Sequence, residues 1–106
     1  MIIGIGTDII DIRRIKNTIH KYGKRFKKRC FSSKEISRSE NRLNSVGSYA
    51  KRYAAKEACS KALGTGLARG VFWKDIEVVN DALGKPSIIL HNHALTRMNK
   101  ITKKDY

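Results

Sequence analysis

Two acids stand where they could do chemistry. Asp8 interrupts an Ile-rich apolar run near the start of the chain. Glu57 lies inside an Ala-rich segment, with Lys61 four residues on and Gly64-Thr65-Gly66 just beyond. Two carboxylates from different elements suit Mg²⁺, a hard cation that takes one or two protein carboxylates, keeps waters and completes its shell with substrate phosphates. A nearby Lys offers those phosphates a compact positive charge. Gly-rich turns present backbone N–H groups to anions. Each residue also has a purely structural use. Asp8 can cap a following helix or begin a turn. Glu57 can pair with Lys61 at i,i+4, worth about 0.2–0.5 kcal/mol. Residue types alone leave both uses open.

The elements that must position these groups follow from spacing. Residues 2–10 read as a short buried strand, with Gly4 and Gly6 allowing close backbone approach. Over 11–22, Ile12, Ile15, Ile19 and Tyr22 recur at helical spacing as a core face. Arg13, Arg14, Asn17, Lys21 and Lys24 fall on the other face, and Gly23 is a plausible stop. Ser32 and Glu35 have capping-box spacing. Residues 37–48 are polar and read as a loop or weak helix. A long Ala-rich helix follows over about 45–63 and closes at Gly64, a natural left-handed C-terminal residue. Residues 71–79 suit one or two strand segments, 81–86 a turn containing Gly84-Lys85-Pro86, 87–90 a second strand, and 93–99 a short helix. The order predicts an α+β fold with a small antiparallel sheet packed against a long helix.

Size and composition set the frame. The chain has 106 residues, enough for one domain spanning 1–106. Lys and Arg number 23 against nine acids, a formal net charge of +14. Such a field favours nucleic acid, an anionic membrane, an acidic protein or a phosphate-rich ligand. Nine of the 23 lie between Arg13 and Arg29, a stretch without one acid. Cys30 and Cys59 have no partner at metal-binding or disulfide-framework spacing, so both read as reduced thiols of a cytoplasmic protein. No apolar run approaches the roughly 20 residues of a membrane span.

The motifs resemble those of a known family. Gly4-Ile5-Gly6-Thr7-Asp8-Ile9, with Arg14 after it, looks like the amino-terminal signature of the holo-[acyl-carrier-protein] synthases. The run Arg52-Tyr53-Ala54-Ala55-Lys56-Glu57-Ala58-Cys59-Ser60-Lys61-Ala62-Leu63-Gly64-Thr65-Gly66 is similar to the family's second signature, almost residue for residue. Asp75-Ile76-Glu77 and Gly84-Lys85-Pro86 resemble the third. The second block is long and specific; the others are weak alone.

The resemblance implies a 4′-phosphopantetheinyl transferase fold, assembled as a homotrimer with active sites at subunit interfaces. It implies that Asp8 and Glu57 hold Mg²⁺ and that Lys61 contacts the coenzyme A phosphates. Gly64, Gly84, Lys85 and Pro86 would shape the coenzyme A pocket. Arg14, with Arg13 and Lys21 on the same helix, would meet the acidic recognition helix of acyl carrier protein. The implied reaction is attack of a carrier-protein serine on the β-phosphorus of coenzyme A, with adenosine 3′,5′-bisphosphate leaving, as a step of fatty acid biosynthesis. Glu57 would accept the serine proton, directly or through a metal-bound water. The family also continues with a final strand bearing a Ser-x-Ser-His-like segment, and nothing in these 106 residues matches it. That histidine role does not transfer to His91 or His93, which read as solvent-facing turn residues.

Two readings from other classes compete. A nucleic-acid-binding module fits the charge, but the aromatics do not interleave with the basic run as a stacking platform would. No zinc-finger spacing is present either. A non-catalytic carrier-protein binder would need only the basic helix.

Overall fold

In a computed structural model, the protein is described over residues 5–64 and 73–104, and its side chains over 12–64 and 73–101. The elements run α1 (Ile5–Tyr22), α2 (Lys24–Cys30), α3 (Ser33–Glu40), α4 (Ser45–Ala62), a 3₁₀ turn (Trp73–Asp75), β1 (Ile76–Asn80), β2 (Pro86–Leu90) and α5 (Asn92–Lys104). The α+β class holds. Two compact units divide the chain, Met1–Ala54 and Ala55–Tyr106. Helix α4 begins in the first and ends in the second.

The strand expected over 2–10 is corrected: its described part, from Ile5 onward, is the first turns of α1. A helix satisfies its backbone groups within the segment, whereas a strand of isoleucines needs a partner strand to do so. Gly23, at φ 55, ends α1, and its N–H reaches Ile19 O at 2.8 Å. The expected core face of this helix is narrower than its spacing suggested. Ile15 is buried and Ile19 half-buried, but Ile12 and Tyr22 are exposed.

Aromatic rings hold the first unit together. Phe31 meets Tyr49 at 5.0 Å between ring centres and Phe26 edge-on at 5.8 Å, and Phe26 leans on Tyr53 at 5.8 Å. Such pairs add about 0.5–1.5 kcal/mol beyond their buried area. Ser32 and Glu35 form the capping box that their spacing predicted. Glu35 N–H donates to Ser32 Oγ at 3.2 Å, and Ser32 N–H to Glu35 Oε1 at 2.9 Å. The cap starts the short helix it announced, which runs through Glu40, and of the stretch 37–48 only 41–44 lies outside a helix.

In the second unit, β1 and β2 pair antiparallel, Ile76 opposite Leu90 and Asn80 opposite Pro86. Leu63, Ile76 and Ala94 form the core, with Cys59, Leu90 and Ile101 packed around it. The final helix, α5, is longer than the 93–99 expected. Among the described residues, no helix is long and apolar enough to cross a membrane.

Candidate functional site

The end of α4 carries two interleaved stripes. Lys56, Ser60 and Leu63 are buried. One residue further on in each case, Glu57 is half-buried and Lys61 and Gly64 are exposed. Each step turns the helix by about 100°, so the second stripe lies to one side of the first and faces solvent. Gly64 closes the helix at φ 75, a left-handed conformation that strains any residue with a Cβ. Its N–H donates to Lys61 O at 2.9 Å. Arg97 on α5 donates from Nε to Leu63 O at 3.0 Å, so the frayed end of α4 is tied down by a side chain from beyond the hairpin. Ser60 Oγ donates back to Glu57 O at 2.8 Å. Partial burial pushes the Cys59 thiol above its ordinary range.

Gly84-Lys85-Pro86 forms the tip of the β1–β2 hairpin and the start of β2. Asp81 organises it: Oδ1 accepts from Leu83 N–H at 2.9 Å and from Lys85 N–H at 2.8 Å. Gly84 adopts φ 87 with nothing within 4 Å of the position a Cβ would take, so its glycine serves backbone conformation rather than close approach. Lys85 is exposed.

In the first unit, Arg13, Arg14 and Lys21 are all exposed on α1. The Arg14 guanidinium lies 5.3 Å from the centre of the Tyr53 ring, and Lys21 Nζ 5.3 Å from that of Tyr22. Each is a cation–π contact at an exposed site. Lys27, on α2, is committed differently, to Glu40 Oε1 at 2.9 Å.

The predicted site residues thus fall in both units. Glu57, Lys61, Gly64 and the hairpin turn belong to the second; Asp8, Arg13, Arg14 and Lys21 belong to the first. Asp8 lies within α1, not on a strand, and its side chain is outside the described residues. Thr65 and Gly66 are outside them as well. Among the described residues, no group of three or more His, Cys, Asp or Glu side chains could hold a metal ion. A Mg²⁺ site built on two carboxylates does not require one, and the Glu57 carboxylate is a hard oxygen donor of the right kind.

Three features escaped the sequence reading. Lys56 is fully buried, its Nζ donating to Trp73 O at 2.8 Å and to Ile76 O. Arg52 is buried too, its Nη1 donating to Ser48 Oγ at 2.7 Å, and desolvation lowers its pKa. His91 is no free turn residue: its Nε2 lies 3.1 Å from Oε1 of the buried Glu77. His93 is exposed, as expected. The one available signal was the spacing of Arg52, Lys56, Ser60 and Leu63 on a helix otherwise short of large apolar residues.

Comparison with known proteins converges on one family. The model of the 4′-phosphopantetheinyl transferase superfamily matches residues 4–105, and the chain belongs to that superfamily. A holo-[acyl-carrier-protein] synthase of Rhizobium meliloti (strain 1021) is 60% identical over 101 residues, covering 95% of this chain and 73% of the relative. The crystal structure of the holo-[acyl-carrier-protein] synthase of Neisseria meningitidis superposes with a TM-score of 0.73 at 34% identity, over 87% of this chain and 73% of that one. The Helicobacter pylori synthase, solved in complex with coenzyme A, gives 0.70 at 30% identity, over 83% of this chain and 74% of that one.

Proposed function

We propose that the chain transfers the 4′-phosphopantetheine group of coenzyme A to a serine of apo acyl carrier protein, releasing adenosine 3′,5′-bisphosphate, as a step of fatty acid biosynthesis in the cytoplasm. The observation that carries this reading is the outer face of α4, where Glu57 and Lys61 stand at i and i+4 beside a buried stripe, with Gly64 turning the chain just after the helix. The 60% identity to a holo-[acyl-carrier-protein] synthase along nearly the whole chain supports it.

Roles follow from chemistry. Asp8 and Glu57 would hold Mg²⁺, which when bound offsets charge on the pyrophosphate oxygens. Lys61, exposed on the same stripe, stabilises the departing adenosine bisphosphate. Glu57 accepts the proton of the serine hydroxyl as its oxygen bonds to the β-phosphorus and the phosphoanhydride bond breaks. Phosphoryl transfer depends mainly on positioning and electrostatics, so a weak base suffices. Gly64 and the Gly84-Lys85-Pro86 turn shape the coenzyme A pocket. Arg13, Arg14 and Lys21 dock the acidic carrier protein. The working form is a homotrimer of single-domain chains, with active sites at its interfaces.

One assay decides between this reading and its rivals. The chain is incubated with apo carrier protein, coenzyme A and Mg²⁺, and the carrier protein is weighed by mass spectrometry. A phosphopantetheine adduct excludes both the nucleic-acid module and the non-catalytic binder. No adduct overturns the proposal.

A further inference from the structure

The buried stripe of α4 includes a group that the transfer chemistry does not use. Lys56 has 0% exposure, and its Nζ donates to the carbonyls of Trp73 and Ile76. A polar group enclosed without partners is costly, so the two carbonyls are a specific requirement of this position. They bracket the 3₁₀ turn: Trp73 opens it and Ile76 begins β1. Two turns along the same stripe, Leu63 packs in one cluster with Ile76 and Ala94. The end of α4 is therefore held at two heights against the start of β1, by directed hydrogen bonds at Lys56 and by apolar packing at Leu63. Two such attachments on one stripe fix the rotation of the helix about its axis. Glu57, Lys61 and Gly64 are the immediate sequence neighbours of Lys56, Ser60 and Leu63, so that rotation sets where they point.

We propose that Lys56 is a positioning residue for phosphopantetheine transfer. By gripping the Trp73 and Ile76 carbonyls it sets the azimuth of α4 and thereby aims Glu57 and Lys61. The proposal rests on the reading of those two residues given above. An apolar residue at position 56 would fill the same space but tolerate rotation and sliding; hydrogen bonds to two fixed acceptors do not.

The test is Lys56→Met, which keeps an unbranched side chain out to Cε and removes the ammonium donors. A misplacement of about 1 Å costs on the order of 10²-fold in rate. The expected result is a fall in kcat of roughly 10- to 100-fold at temperatures where the variant is folded, with KM for carrier protein changed by less than about threefold. Trp73 is the sole tryptophan, and its fluorescence reports the released segment: emission shifts and quenching by acrylamide increases. Ile101→Val, on α5 and off the α4 stripe, is the comparator. It trims the same apolar cluster and lowers Tm, leaves both α4 attachments in place and keeps kcat within about twofold of wild type.

A Lys56→Met kcat equal to wild type, or one lost only in step with Tm as in Ile101→Val, makes Lys56 a core residue and nothing more. If Lys56→Met does not fold, Lys56→Gln decides on the same criteria, since its amide ends one atom short of the place from which Nζ reaches both carbonyls. Its lowered kcat with preserved carrier-protein KM supports the proposal, and wild-type kcat overturns it. The wild-type chain run in parallel separates the two levels. An inactive wild type overturns the functional reading and this proposal with it. An active wild type beside an unaffected Lys56 variant overturns this proposal alone.

Discussion

Helices α1 and α4 are both 18 residues long, and they are built on opposite plans. Along its described side chains, α1 buries Ile15 and sets Arg13, Arg14, Lys16 and Lys21 in water. α4 does the reverse with its cations: Arg52 and Lys56 are inside, while Lys51 and Lys61 are outside. The same residue types therefore carry different information on the two helices. On α1 the charges are a surface, and charge patterning reads them correctly. On α4 two of them, Arg52 and Lys56, are enclosed and hydrogen-bonded, and Lys56 adjoins Glu57, to which the proposed chemistry is assigned. A buried cation must find acceptors, and the acceptors near Lys56 are backbone carbonyls that no composition analysis can anticipate.

The contrast predicts that damage to the outer stripe of α4 stops chemistry, whereas damage to α1 weakens an encounter. Glu57→Gln should produce the largest effect, a loss of about 10²-fold or more in phosphopantetheine transfer with the fold and oligomeric state intact. Near-normal turnover of labelled coenzyme A by this variant would remove Glu57 from the metal and base roles together. Arg14→Glu comes next. Its cost should fall on carrier-protein KM, roughly tenfold, with little change in the KM for coenzyme A, and it should shrink as salt is added. Equal changes in both KM values would break the distinction between the two helices.

The smaller effects concern stability. Gly64→Ala places a Cβ at φ 75. The position itself is open, with Arg97 Nη2 3.5 Å away, so the cost is conformational, about 1–2 kcal/mol. A drop of several degrees in Tm by calorimetry is the expected readout. Tyr49 offers the mildest test, silent near neutral pH. Burial, and then the nearby Glu40 carboxylate, raise its pKa from 10.0 to about 12. With the folded value above the unfolded one, its contribution to stability is complete below pH 10 and is lost as pH rises towards 12. Absorbance titration of the phenolates should show one tyrosine that ionises only as pH approaches about 12.

What the sequence revealed was local. Gly23 and Gly64 as helix ends, the Ser32–Glu35 box, the long helix through Glu57 and the hairpin around Gly84 each depend on residues a few positions apart. What it hid was non-local. The Glu77–His91 pair joins residues 14 apart, and the Lys56 bonds reach across 17 and 20. Glu35 shows a limit of another kind: its spacing from Ser32 announced the cap, but not that the carboxylate would be enclosed. The run through Ile5–Ile10 was misread because periodicity cannot say whether an isoleucine-rich segment will have a strand to pair with.

The Asp81 turn has a consequence for the entropy of recognition. Besides the two amides held by the Asp81 carboxylate, Asp81 N–H donates to Lys85 O at 3.0 Å, Gly84 N–H to Asp81 O at 3.0 Å and Asn80 Nδ2 to Gly84 O at 3.1 Å. Pro86 adds a fixed φ at the exit. A loop stitched from within in this way keeps its shape in the free protein. A molecule settling against Lys85 would meet a rigid edge, and little of the binding energy would be spent freezing the backbone beneath it.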